Sequence, residues 1–262
     1  MLLGAMNNQK NDILREARAF GELGFEFLEL TIEAPEANPE KILKKQKQLL
    51  DELSRYKMKL LAHAPWFLEI THPYPRVREA MLAEMREVVE TTAKLEIEKL
   101  TIHTEPQFSI HAKRETLVSE TINSIKTIHK WCVDSGVVLC VENFTDASFS
   151  LEEFKKLFSE VPELKFTLDV GHANLIKSNG AGITDFLRAF KNKLAHLHAH
   201  DNNGKEDLHL PIGAGKINWE KIIPEIRRAY DGTITLEIHS DERAYLGASR
   251  EKFLKLWAQK GE

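Results

Sequence analysis

The chain has 262 residues, with 36 Lys and Arg against 40 Asp and Glu and a formal charge of -4, which gives no whole-molecule electrostatic footprint for nucleic acid. At 42% hydrophobic residues, it has the size of one closed α/β barrel or of two small domains. The start MLLGAMNNQKND turns polar too soon for a signal segment or membrane span, and Cys132 and Cys140 lack CxxC spacing, so packed thiols in a cytoplasmic protein without a membrane partner are expected.

In chain order, short apolar runs rich in Val, Ile, Leu and Phe predict strands at 2–6, 25–31, 59–63, 99–103, 137–142, 165–169, 194–200 and 233–238. Amphipathic runs after them predict helices at 12–23, 39–56, 75–95, 116–135, 151–159, 184–191, 219–230 and 249–258. Gly24, Gly136 and Gly232 stand just past helix ends, and Ser150 with Glu153 spells a capping box. A strand-to-strand spacing of about thirty residues is that of a βα unit, and eight such units close most simply as a (β/α)8 barrel. An open doubly wound sheet is the structural alternative. Its Gly-rich phosphate loop is absent, because Met6 is followed by Asn7, Asn8 and Gln9.

Active sites of such barrels sit at the C-terminal strand ends. Here the third strand ends at His63, the fourth at His103, the fifth at Glu142 and the sixth at Asp169, with His172 three residues on. The seventh carries His198 and His200, the eighth Glu237, and the loop after the seventh adds Asp207 and His209. Three carboxylates, Glu142, Asp169 and Glu237, facing one mouth repel one another and demand a cation or raised pKa values. Taken singly, His63 and His103 read as hydrogen-bonded barrel histidines. His196 lies deeper on its strand than His198 and reads as a supporting group. His72, His111 and His129 read as ordinary loop or helix residues, and His239, on the face of Glu237, reads as a bystander. Imidazole and carboxylate donors without thiolate suit Zn2+, Mn2+, Co2+ or Fe2+ better than Ca2+.

The motifs HAPWF (63–67), VEN (141–143), DVGH (169–172), HAHDNNGKEDLHLPIGAGKI (198–217) and TLEIHS (235–240) make the chain resemble the xylose isomerase-like TIM-barrel superfamily over essentially its whole length. The resemblance implies one domain over 1–262. Likeness to the ketose epimerases of that superfamily implies one divalent ion on Glu142, Asp169, His198 and Glu237, with Glu142 and Glu237 as catalytic acid and base. His172 then falls where substrate oxygens are held, and Trp66, His200 and Lys205 fall on the substrate side. Two family positions depart: a glutamate falls on Ser148 and an arginine near Gly204 and Lys205. Likeness to endonuclease IV implies three zinc ions instead. His63, His103 and Glu142 would serve the first, Glu142, Asp169, His198 and Glu237 the second, and His172, Asp207 and His209 the third. Trp66 then stands where an aromatic inserts into DNA.

Charge separates the two readings. One divalent ion leaves a site of about -1, suited to a neutral sugar, whereas three zinc ions leave about +2, suited to a phosphodiester. The loop after the second strand, TIEAPEANPEK, carries Glu33, Glu36 and Glu40, which repel a DNA backbone. The reading is therefore an isomerase or epimerase of a small carbohydrate that uses one to three ions of Zn2+ or Mn2+, with Co2+ or Mg2+ as substitutes. An apurinic-site endonuclease is the alternative, and a metal-binding barrel without catalysis is a third.

Overall fold

The computed structural model describes residues 1–104, 113–144 and 148–259; His111 lies outside them. Eight parallel strands, β1 (Leu2–Met6), β2 (Phe27–Thr31), β3 (Lys59–His63), β4 (Lys99–His103), β5 (Val138–Glu142), β6 (Lys165–Asp169), β7 (Leu194–Ala199) and β8 (Thr233–Leu236), pair in sequence order. β1 pairs with β8 as well as with β2, which closes the barrel and excludes the open sheet. The surrounding helices are α1 (Ile13–Glu22), α2 (Pro39–Arg55), α3 (Pro75–Lys94), α4 (Arg114–Asp134), α5 (Leu151–Glu160), α6 (Val170–Ile176), α7 (Ala181–Phe190), α8 (Trp219–Ala229) and α9 (Arg243–Ala258). Among the described residues, no helix is long and apolar enough to cross a membrane.

Burial explains why these segments extend or coil. All five residues of β2 are buried, as a strand covered on both faces requires. The helices bury one stripe, as α2 does with Ile42, Leu49 and Leu53. Ser150 caps α5 while Glu153 returns a carboxylate to the Ser150 N–H at 2.7 Å, completing the expected capping box. Gly24 and Gly136 adopt φ of +80° and +72°, the left-handed conformation that stops a helix. Gly232 does not; a side chain there would meet the Tyr230 hydroxyl at 2.3 Å, so it is small for space. Cys132 and Cys140 are free, buried thiols pushed up to about 12 by burial.

Several boundaries differ from the sequence reading, four of them near the mouth of the barrel or at the last helix. β7 ends at Ala199 and β8 at Leu236, so His200 and Glu237 stand just beyond their strands. Helix α6 starts directly on Asp169, whose carboxylate caps it; this capped turn offers too short a periodic run to be read from sequence. Helix α9 begins at Arg243, six residues earlier than the apolar pattern indicates.

Candidate metal centre

Side chains along a strand alternate, and the register carries the donors of neighbouring strands to one level. His103 pairs with Glu142, Asp169 with His198, and His198 with Thr235 two residues before Glu237. At the C-terminal mouth, Glu142 is 1% exposed and central. Its Oε2 lies 3.0 Å from His63 Nε2 and 3.2 Å from His103 Nε2, while Oε1 lies 3.2 Å from His198 Nδ1 and 3.5 Å from His172 Nδ1. Burial alone would raise the Glu142 carboxyl, but His198 and His103 hold it well below the usual range. Burial likewise disfavours charge on His198, and the Glu142 and Glu29 carboxylates overcome it, holding the imidazole well above its ordinary value.

Among the described residues five groups of donors have ligand atoms within 4.8 Å of one another, Glu29 with His196 and His198 and His209 with Glu237 and His239 being two of them, and the other three gather the predicted ligand positions. The first is His63, His103 and Glu142; the second is Glu142, Asp169, His198 and Glu237; the third is His172, His200, Asp207 and His209. The predicted ligand positions thus converge, and His200 joins them. The second group carries the sharpest sign of a cation. Asp169 Oδ1 caps α6 by accepting the His172 N–H at 2.6 Å, which leaves Oδ2 buried and without a hydrogen bond. Glu237 Oε2 is buried and unbonded as well, 3.4 Å from His198 Nδ1. Buried carboxylate oxygens facing one point without donors are costly in a folded protein unless a cation meets them. The donor set of imidazole and carboxylate fits a divalent transition ion.

Local structure orients each donor. The Asn143 side chain clamps the main chain of Asp169 through bonds of 2.9 and 3.0 Å, which gives the VEN motif a physical reason. A carbonyl can only accept, so His63 Nδ1–H donates to Ala64 O at 2.7 Å, His172 Nδ1–H to Asn143 O at 3.1 Å and His209 Nδ1–H to Glu237 O at 3.0 Å. The opposite nitrogen of each then faces a shared carboxylate. Asp207 Oδ2 sits 3.2 Å from both His172 Nε2 and His209 Nε2; burial opposes its charge, yet the two histidines lower its carboxyl strongly. Although burial opposes charge on His209, Glu237 and Asp207 lift it to about 9. Gly171 leaves room for His200, whose ring a side chain there would meet at 2.1 Å.

A cavity of about 360 Å3 opens above the donors, walled by Thr31, Glu33, His63, Trp66, His103, Phe144, His172, Asp207, His209, Glu237 and His239 among others. Trp66 and His172, two of the four residues assigned to substrate in the sequence reading, line this cavity. Two other residues do not. His200 is fully buried behind the cavity, because its ring stacks at 3.9 Å on His209. Lys205 is exposed in the turn after β7 and does not line the wall. His239, read as a bystander, stacks on His209 at 3.9 Å and forms part of the wall. Of the three glutamates after β2, Glu36 and Glu40 are paired with Lys41 and Lys44, each at 2.7 Å, and only Glu33 faces the cavity.

Three groups escaped the sequence reading. Phe144 packs on His103 and His172. Glu29, in the middle of β2, lies under the centre, and its position two residues before Thr31 on an otherwise apolar strand was the available signal. Asp201 is fully buried and accepts from Gly213 N, Ile217 N and Trp219 Nε1 at 2.8, 3.1 and 2.9 Å, tying down the loop that bears Asp207 and His209.

Known proteins match this architecture. A protein of Methanocaldococcus jannaschii, itself uncharacterized, is 31% identical over 179 residues, 66% of this chain and 68% of its own length. A D-tagatose 3-epimerase-like protein superposes with a TM-score of 0.82 at 24% identity, covering 98% of each chain. The 3-keto-D-glucoside 4-epimerase of E. coli superposes with a TM-score of 0.79 at 16% identity, over 97% of this chain and 99% of its own. The family model for the xylose isomerase-like TIM barrel matches residues 17–256. With that match spanning nearly the whole barrel, the chain belongs to the xylose isomerase-like TIM-barrel family.

Proposed function

We propose that the protein is a divalent-metal-dependent isomerase or epimerase of a small carbohydrate, built as one domain, with Glu142 and Glu237 as its acid and base. The observation that carries this reading is the quartet Glu142, Asp169, His198 and Glu237, with two unbonded carboxylate oxygens, beneath a cavity that Glu237 itself walls. A cation held by these four would supply Lewis-acid polarisation of a neighbouring carbonyl and hydroxyl. In this reading Glu237, which walls the cavity, takes a proton from the carbon beside the carbonyl, and Glu142 is the second carboxylate, which returns one and inverts the centre. Trp66 and Phe144 offer faces to a sugar ring, and His172 Nε2 offers a polar contact. Glu33, a carboxyl raised by burial, faces the same space and suits a neutral polyol better than a phosphodiester. Similarity in fold to an epimerase-like protein and an epimerase points the same way.

The test is deuterium exchange from solvent into the carbon adjacent to a ketose carbonyl, across a sugar panel, with Mn2+ or Co2+ supplied. Exchange should appear in the wild type and fall by at least about 100-fold in Glu237→Gln, the scale of a lost general base. Absence of exchange on every sugar would sink the proposal.

The three donor groups favour a second reading, zinc-dependent cleavage of DNA at abasic sites, because His63, His103, His172, Asp207 and His209 exceed what one ion needs. About three zinc per chain together with efficient nicking of an abasic duplex would establish it over the first.

A further inference from the structure

Beneath the quartet the barrel interior holds a second polar layer. Glu29 is fully buried and does not line the cavity above, so substrate does not reach it. Its Oε1 lies 3.2 Å from His198 Nε2 and its Oε2 lies 3.0 Å from His196 Nε2. The Thr235 hydroxyl donates to Oε2, and His196 Nδ1 lies 2.8 Å from Thr233 Oγ1. A carboxylate at this depth costs several kcal/mol to desolvate, and apolar residues of similar volume fill such places at no such cost. Packing therefore does not account for it.

What distinguishes Glu29 is the histidine it serves. His63, His172 and His209 are each steered by a main-chain carbonyl. His198 has a carboxylate in that position instead. An ionised carboxylate has no proton to give, so Nε2 of His198 must carry a hydrogen, and Nδ1 is the nitrogen that faces Glu142 Oε1 at 3.2 Å and Glu237 Oε2 at 3.4 Å, where a cation would take the place of its proton. Both Glu29 oxygens lie 3.2 Å from His198 Nε2, and His196 and Thr235, both on Oε2, anchor the carboxylate in that position.

We infer that Glu29 is the positioning residue of the metal centre, fixing His198 as the Nε2–H tautomer so that Nδ1 is the donor to a divalent cation, and strengthening that donor with a full negative charge. The inference rests on the metal-binding part of the proposed function and not on the identity of the reaction.

Metal-free wild type and Glu29→Gln are titrated with Co2+ against a competing chelator, reading both the dissociation constant and the visible absorption bands. Glu29→Gln should bind about 10- to 100-fold more weakly, the range typical of lost outer partners, with shifted bands. A purely structural role would lower the melting temperature and leave the bands of bound Co2+ unchanged, and that result overturns the inference. Wild type that binds no Co2+ overturns the metal reading and this inference with it. Wild-type binding matched by the variant overturns this inference alone. Independently of any variant, long-range 1H–15N correlation on the zinc-loaded, 15N-histidine-labelled wild type should report His198 with its proton on Nε2; a proton on Nδ1 overturns the assignment.

Discussion

Glu142 shows how one side chain can serve two donor groups: each of its oxygens faces two histidines, and it belongs to both the first and second groups. In the metal-free protein those contacts are filled by protons. His209 gives the sign of the resulting pH dependence. Its pKa of about 9 in the folded state stands above the ordinary 6.5, so its contribution to stability is complete below pH 6.5 and is lost as pH rises through 9. The amount is on the order of 3 kcal/mol. A cation competes for the same lone pair, so Zn2+ uptake should release protons, and affinity should climb between pH 6.5 and 9. Calorimetry in buffers of different ionisation enthalpy measures the release; a heat that does not vary with buffer would refute it. The residues at strand ends were legible because donor chemistry on successive strands is rarely a packing choice. Glu29 was not, because a mid-strand glutamate announces itself only when the barrel interior brings His196 and His198 onto it. Lys205 looked close in sequence, but the turn around Gly204, with φ of +76°, leaves it in solvent.

At the scale of elements, strand positions followed from apolar runs, and four of the eight strands have the boundaries read from sequence. The remainder failed at ends where backbone hydrogen bonding, not hydrophobic pattern, decides: β8 stops one residue before Glu237, and α6 forms because Asp169 caps it. The β7 to α8 loop depends on tight backbone approach. A side chain at Gly215 would lie 2.3 Å from both Asn202 O and Asp201 Oδ1, and neither is free to move, since Asp201 is engaged by several donors. Gly215→Ala should therefore cost about 1–3 kcal/mol, the usual range for overpacking, and weaken ion binding at Asp207 and His209 more than at Glu142 and Asp169. Melting temperature and bound-metal stoichiometry measured on the same preparation check both parts; an unchanged stoichiometry would argue against the loop's dependence on Gly215.

Over the whole molecule, one buried apolar cluster runs from Leu3 to Leu256, and the donors draw on strands β3 to β7 together with Glu237 beyond β8. An ion bound by these donors would tie the barrel across its mouth. Saturation at about 100 times the dissociation constant should add about 2.7 kcal/mol to stability, and in a chain of this size each kcal/mol is worth about 2–4 °C. Scanning calorimetry with and without chelator should show a single transition displaced upward by several degrees when metal is present; coincident curves would count against a structural ion. The anchoring by Asp201 has a different bearing. It closes the segment 201–219 on itself through Gly213, Ile217 and Trp219, while the quartet stands on β5, β6, β7 and the residue after β8, outside that segment. The loop thus brings Asp207 and His209 to the mouth as one anchored unit, so shortening it between Asp201 and Trp219 should remove those two donors and leave Glu142, Asp169 and His198 on their strands.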